Sequence, residues 1–238
     1  MRLLVFGAGR VGLSMAGYAR HLGVNAEILR RSDAEGDPAI VRERIARADV
    51  VAAAIPDDRI AAWRSQWKDA IGRRLAIHFS GARNFEGMAS YHPLYSFPKE
   101  PLASDVMASI AIIRDRGAPP FASIFSGAPN PDYEIEPEGR ALYHAIAVLS
   151  GNFAAHLWNE SATVLAARFG IEPATALGAY FSGLADRFRE RPFDSLTGPV
   201  IRKDAATIAA NLAALDAEPR LKALYEAFLE SAWPDRRR

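Results

Sequence analysis

Apolar positions fall into two kinds of pattern along this chain. Up to about residue 132 they form short runs at 1–6, 24–29, 49–55 and 75–79, each closed by glycine, proline or charged residues. Such runs predict strands buried on both faces of a parallel sheet. Between them the spacing becomes helical. Residues 13–22 and 38–47 read as helices, and Ile60, Trp63, Trp67 and Ile71 recur at intervals of three and four before Gly72 stops the run. Further strands are expected at 107–113 and 122–125, with a weak one at 133–135. From Pro137 the pattern is helical throughout, with helices predicted over 138–149, 152–169, 173–189, 202–215 and 219–233 and an irregular break at 191–199. Proline at the first turns and Gly170 at an end mark these boundaries.

The first strand runs straight into a glycine turn. Gly7, Ala8, Gly9, Arg10, Val11 and Gly12 have the form G-x-G-x-x-G, and a helix follows. Strand, turn and helix in that order make a dinucleotide-binding start. Gly7 permits the tight turn, Gly9 lets a pyrophosphate approach the backbone, and Gly12 lets helix and strand pack closely. The unpaired N–H groups of the new helix then face the phosphates. The expected fold is therefore α/β: an N-terminal Rossmann dinucleotide-binding domain over 1–132, followed by an all-helical domain over 133–238. The alternative is a turn that only packs.

The tip of the second strand bears on which coenzyme is bound. An acid there takes the ribose diol of NAD, whereas arginine accommodates the 2′-phosphate of NADP. Arg30, Arg31 and Ser32 stand at the tip and Asp33 is the nearest acid, so NADP is expected over NAD. Ile55 and Pro56, where the third strand ends, are expected beside the coenzyme, while Asp57 and Asp58 read as caps of the next helix.

Composition removes several alternatives. A net charge of +1 gives no general attraction to nucleic acid or an anionic membrane. The basic tail, 236–238, is short and reads as a solvated end. The chain has no cysteine, which excludes disulfides and thiol catalysis. No apolar run nears the roughly 18 residues of a membrane span, and a cytoplasmic location is expected.

Hydride transfer needs a group to supply or take a proton at the reacting carbonyl or imine. His92, in a proline-stiffened loop, is the first candidate, since histidine titrates near neutrality. Ser80 follows a strand and is placed to orient substrate or nicotinamide. His78, inside an apolar strand, reads as a core histidine. From the helical domain Asn159 and Lys203 are candidates for the far wall of the site, with Arg202 and Lys203 suited to a substrate carboxylate; solvent exposure is the alternative for both cations. Asn152 reads as a helix cap. His156 and Glu160 have the spacing of a metal pair but lack an obvious third ligand, so no metal is expected.

Three stretches taken together carry a family resemblance: 7–12, then 78–82 with 92–97, and 196–204. The chain resembles Rossmann-like oxidoreductases with a helical C-terminal domain of undefined function, similar to pyrroline-5-carboxylate reductase, ketopantoate reductase and the β-hydroxyacid dehydrogenases. The resemblance implies an NAD- or NADP-binding first domain, a small-molecule substrate between the domains, and a homodimer formed through the helices. The matching positions are the opening glycines, Ser80, His92 and 198–204. Lys203 stands where that family often has glycine, and Asn211 where it more often has histidine. The expected activity is NADP-dependent hydride transfer to or from a small carbonyl or imine, with or without a carboxylate; the alternative is an inactive NADP-binding sensor or a structural dimerisation protein.

Overall fold

The computed structural model describes residues 1–34 and 36–237; the side chains of the basic tail, 236–238, lie outside the described residues. The chain divides into two compact units, Met1–Leu149 and Ser150–Arg238.

The first unit alternates strands and helices: β1 (Arg2–Phe6), α1 (Arg10–His21), β2 (Asn25–Leu29), α2 (Arg31–Ala34), α3 (Pro38–Arg47), β3 (Val50–Ala53), α4 (Asp57–Ile71), β4 (Leu75–His78), β5 (Ala89–Pro93), α5 (Ser104–Ser109), β6 (Ile112–Asp115), α6 (Phe121–Ile124), β7 (Asp132–Ile135) and α7 (Arg140–Val148). The strands form one sheet in the order β2-β1-β3-β4-β5-β6-β7. Strands β1 to β5 are mutually parallel, β6 runs antiparallel to β5, and β7 is parallel to β6. Both faces are covered, as the unbroken apolar runs require. Leu3, Val5, Ala52 and Ile77 face a core with Met15, Tyr18 and Phe121. Leu4, Phe6, Val51 and Ala76 face the other, where Ile60, Trp63, Trp67 and Ile71 of α4 pack. The Phe6 and Trp63 rings meet edge-on at 5.1 Å, so the α4 periodicity seen in the sequence is the sheet-facing stripe.

Two strand expectations are corrected. Met107 lies in α5, and β6 begins only at Ile112; the stretch 122–125 lies largely in α6. Met107 and Ile110 are buried, as are Phe121, Ile124 and Phe125. Those spacings of three and four belong to one face of a helical turn, and a short apolar run does not distinguish the two conformations. Asn130 secures the end of α5 by donating from Nδ2 to the carbonyls of Met107 (2.6 Å) and Ile110 (2.8 Å), while its Oδ1 accepts from the Tyr18 hydroxyl. The unit also continues past residue 132, because β7 completes the sheet and Arg140 of α7 is buried against it.

The second unit is helical: α8 (Ala154–Phe169), α9 (Pro173–Glu190), α10 (Ala205–Ala214) and α11 (Pro219–Ala232). Gly170 ends α8 in the left-handed region at φ 62°. Glu172 caps α9 by accepting from the N–H groups of Ala174 and Thr175. The helix expected from 202 begins at Ala205, because Asp204 caps it and Lys203 has φ 55°. Asn152 lies within a π-helical turn, Leu149–Phe153, instead of at a cap. Val200, Ile208 and Leu229 form a small core. No helix among the described residues is long and apolar enough to cross a membrane.

Candidate functional site

The three motif glycines do different things. A Cβ on Gly7, which has φ 110°, would stand 2.2 Å from the carbonyl oxygen of Ala54; one on Gly12 would stand 2.1 Å from the carbonyl oxygen of Gly7. The fold itself needs both positions bare. Gly9 differs: its φ of −77° suits any residue and a Cβ there would meet nothing within 4 Å. It is the N-cap of α1, with no side-chain cap and no acid in the first turn. The backbone N–H groups at Arg10, Val11 and Gly12 thus begin a helix whose positive end is uncompensated by a side chain. The Arg10 guanidinium reaches the Phe97 carbonyl instead, at 3.4 Å.

Beside this turn lies a cavity of about 740 Å³. Gly7, Ala8 and Gly9 line it, with Arg30 and Arg31 past the end of β2, Ile55 and Pro56 past β3, and Arg59 and the indole of Trp63 on α4. A groove beside a glycine turn, walled by arginine and aromatic rings, fits a phosphate-bearing nucleotide. Ser32 lies exposed in α2, and Asp33 accepts from the Arg30 backbone N–H at 2.9 Å, so that acid is engaged in its own turn.

A second group of residues gathers around the ends of β4 and β5. Ser80 is buried, and its hydroxyl donates to Asp57 Oδ2 at 2.5 Å. The Ser80 oxygen accepts in turn from the Arg83 N–H at 3.3 Å. With its proton committed to a carboxylate, Ser80 presents an acceptor. His92 is half-buried, and its Nδ1 lies 2.6 Å from the Tyr143 hydroxyl. His92 and His144 both press on Gly81: a Cβ there would stand 2.8 Å from His92 Nε2 and 2.5 Å from His144 Cδ2. Burial, then His144 and the Arg140 cation, bring His92 down to about 4. Burial lifts Tyr143 to about 12 against the opposing pull of Arg140. Both rings are neutral near pH 7, and one proton is available to the contact between them.

Arg140 holds this group to the sheet. It is 1% exposed and its Nε donates to Asp115 Oδ1 at 2.5 Å. Its Nη2 donates to the Ser90 and Ile113 carbonyls, and Asp115 also accepts from the Ser90 N–H. His78 is fully buried, and its Nδ1 accepts from the Ser80 N–H at 3.2 Å, which puts the ring proton on Nε2. Burial first, then Arg140, lower His78 to about 4, with Asp115 opposing. A neutral histidine beneath the serine positions it; the sequence had suggested a core histidine.

Of the residues singled out from sequence, Ser80 and His92 share the first unit with the glycine turn, Arg30, Arg31, Ile55 and Pro56. Asn159 and Lys203 belong to the second unit and are exposed. Glu160 approaches Arg220 at 3.8 Å, and among the described residues no group of three His, Asp or Glu stands ready to hold a metal. Sequence reasoning did not find Arg140, Tyr143 and His144. Their signal was a polar i, i+3, i+4 set in a helix otherwise made of Ala, Leu, Ile and Val.

The likeness to known proteins follows these lines. No curated protein matches the chain by sequence. Among solved structures, a protein of Bacteroides fragilis described as an NADP oxidoreductase superposes with a TM-score of 0.71 at 18% identity, over 100% of this chain and 98% of that one. A Thermotoga maritima protein gives 0.69 at 21% identity, over 99% and 100%. Pyrroline carboxylate reductase of Plasmodium falciparum, solved with NADP bound, gives 0.63 at 12% identity, over 98% and 97%. At such identities the likeness is one of fold: a Rossmann-like sheet followed by helices. A family model matches residues 114–232, half of the chain's 238. The chain belongs to the family described as Domain of unknown function (DUF2520).

Proposed function

We propose that the chain is an NADP-dependent oxidoreductase acting on a small carbonyl or imine. The observation that carries this reading is Gly9. Gly7 and Gly12 are accounted for by the protein's own backbone, so a turn that only packs would explain them. Gly9 has open space where its side chain would be, at the head of an uncapped helix and beside a cavity lined by Arg30 and Arg31. A bare backbone there serves a phosphate. Bound at this turn, the coenzyme supplies a hydride-donating or hydride-accepting nicotinamide. The names of the structural neighbours, an NADP oxidoreductase and a reductase solved with NADP, support the same reading.

The chain's own residues would then hold and move the proton. Ser80, its hydroxyl fixed on Asp57, presents an oxygen that accepts from an amide or amine N–H. The Tyr143–His92 contact holds a proton between two neutral groups, and its release to a carbonyl oxygen or imine nitrogen matches the need of a reduction. Asn159 and Lys203 are proposed as contributions of the second unit, Lys203 toward a carboxylate.

A homodimer through the helical unit is part of the proposal. Helices α8 and α9 bury no residue, and Phe169, Tyr180, Phe188 and Phe193 are exposed. Apolar surface on that scale is suited to a twin subunit. Light scattering should give twice the chain mass, and a monomer at high concentration would remove this element. Fluorescence titration with NADPH, followed by turnover on a panel of keto acids, ketones and cyclic imines, tests the whole reading. Absence of NADPH binding would end it, and binding without turnover on any class would favour a sensor.

A further inference from the structure

Arg59 stands at the start of α4 and lines the same cavity as Gly7, Ala8 and Gly9. The strand order β2-β1-β3 puts the glycine turn, at the end of β1, between two neighbours. Arg30 and Arg31 follow β2 on one side, and the chain from β3 reaches Arg59 on the other. Cations therefore flank the turn from both sides. Arg59 is exposed, and among the described residues no hydrogen bond or ion pair engages its guanidinium. Among the described residues that line the cavity the acid is Asp58, against Arg30 and Arg59, with Arg31 beside them, so this part of the wall is rich in cationic side chains. A diphosphate bridge is already served by backbone N–H groups at the helix start. Arg59, facing the cavity with Arg30 across the turn, is left for a further anionic group on the nucleoside half, and guanidinium suits phosphate through its forked donors.

We propose that Arg59 makes this cavity selective for a nucleotide with a ribose 2′-phosphate, meeting that group from the α4 side while Arg30 meets it from the β2 side. The proposal rests on the coenzyme reading above and adds the residue that sets the choice between the two nicotinamide coenzymes. An aspartate or glutamate turned to the ribose at the tip of β2 would have favoured a bare diol; Arg30, Arg31 and Ser32 follow the strand, and the nearest acid, Asp33, accepts from the Arg30 N–H.

Calorimetric titration of the full chain with 2′,5′-ADP and with 5′-AMP tests it without need of a substrate. For Arg59→Ala the affinity for 2′,5′-ADP should fall about tenfold or more, the scale of one charge-assisted hydrogen bond. Affinity for 5′-AMP should stay within about twofold, and the melting temperature should hold, since an exposed side chain without a partner adds little to stability. Arg59→Lys should recover part of the loss. Equal weakening of both nucleotides would assign Arg59 to the adenine or the 5′-phosphate and overturn the proposal. No weakening of either would overturn it too. If the wild-type chain held neither nucleotide, the coenzyme reading itself would fall; if it held both and Arg59→Ala changed nothing, only this inference would.

Discussion

The Tyr143 hydroxyl lies 2.6 Å from Nδ1 of His92, which joins the helix α7 to the end of β5 through one shared proton. With His92 near 4 and Tyr143 near 12, the contact keeps that proton across the neutral range. Tyr143→Phe removes it with little change of shape. Turnover on whichever substrate the panel identifies should fall by about 10²–10⁴-fold, with NADPH affinity unchanged. Unaltered kcat in this variant would take Tyr143 out of the chemistry.

His78 and His92 set a pH dependence. For both, the folded value lies below the ordinary one, so the unfolded chain binds protons more readily in acid. Stability present above about pH 6.5 is then lost as pH falls toward about 4. His78, fully buried, accounts for up to about 3 kcal/mol of this loss. His78→Asn keeps an acceptor for the Ser80 N–H, and melting temperatures between pH 4 and 7 should show a shallower slope for it than for the wild type.

Gly9 and Gly12 should part company under the same substitution. Gly9→Ala has open space and an ordinary φ, so the melting temperature should stay within a few degrees, while NADPH binding should weaken about 100-fold or more as the new methyl meets the phosphates. Gly12→Ala would place Cβ 2.1 Å from the Gly7 carbonyl oxygen, and the fold itself should suffer. Thermal melts and coenzyme titrations of both variants separate the two outcomes.

Lys203 holds φ 55°, a conformation that costs a side-chain-bearing residue about 1–2 kcal/mol. Lys203→Gly should raise stability by about 0.5–1 kcal/mol, the gain being reduced by glycine's greater freedom in the unfolded chain. Urea denaturation reads it, and a loss of stability would show that the lysine makes up its strain elsewhere.

Arg140→Ala leaves the partly buried Asp115 without its cation, which should cost about 3 kcal/mol. Denaturant midpoints at pH 7 give the figure. A loss under about 1 kcal/mol would mean that water replaces the guanidinium.

The sheet and the glycine turn at its centre were legible in the sequence because local signals agree there. The runs at 1–6 and 49–55 are short and closed by Gly7 and Pro56, which arbitrates for strands, and the glycines at 7 and 12 have fixed geometric duties. Short apolar stretches such as 107–113 were not legible, since Met107 and Ile110 suit a helical face as well as a strand. The proton-bearing group was half-visible: Ser80 and His92 stand at strand ends, but Tyr143 and His144 come from 51 and 52 residues further along. No spacing rule links residues that meet only through the sheet's topology. Lys203 shows the opposite case, where a departure from the expected glycine became a measurable backbone torsion.

The reversal of β6 decides what α7 can reach. Arg140 sits level with Ser90 of β5, and Tyr143, one turn on, is level with His92, two residues further along the same strand. The helix therefore climbs toward the edge where the parallel strands end. Had β6 and β7 followed the direction of their neighbours, the chain would have emerged at that edge already, and the next helix would have descended from it. One reversed step in an otherwise uniform sheet is thus what delivers a tyrosine and a histidine to the edge at which the strands before the glycine turn and before Ser80 also end.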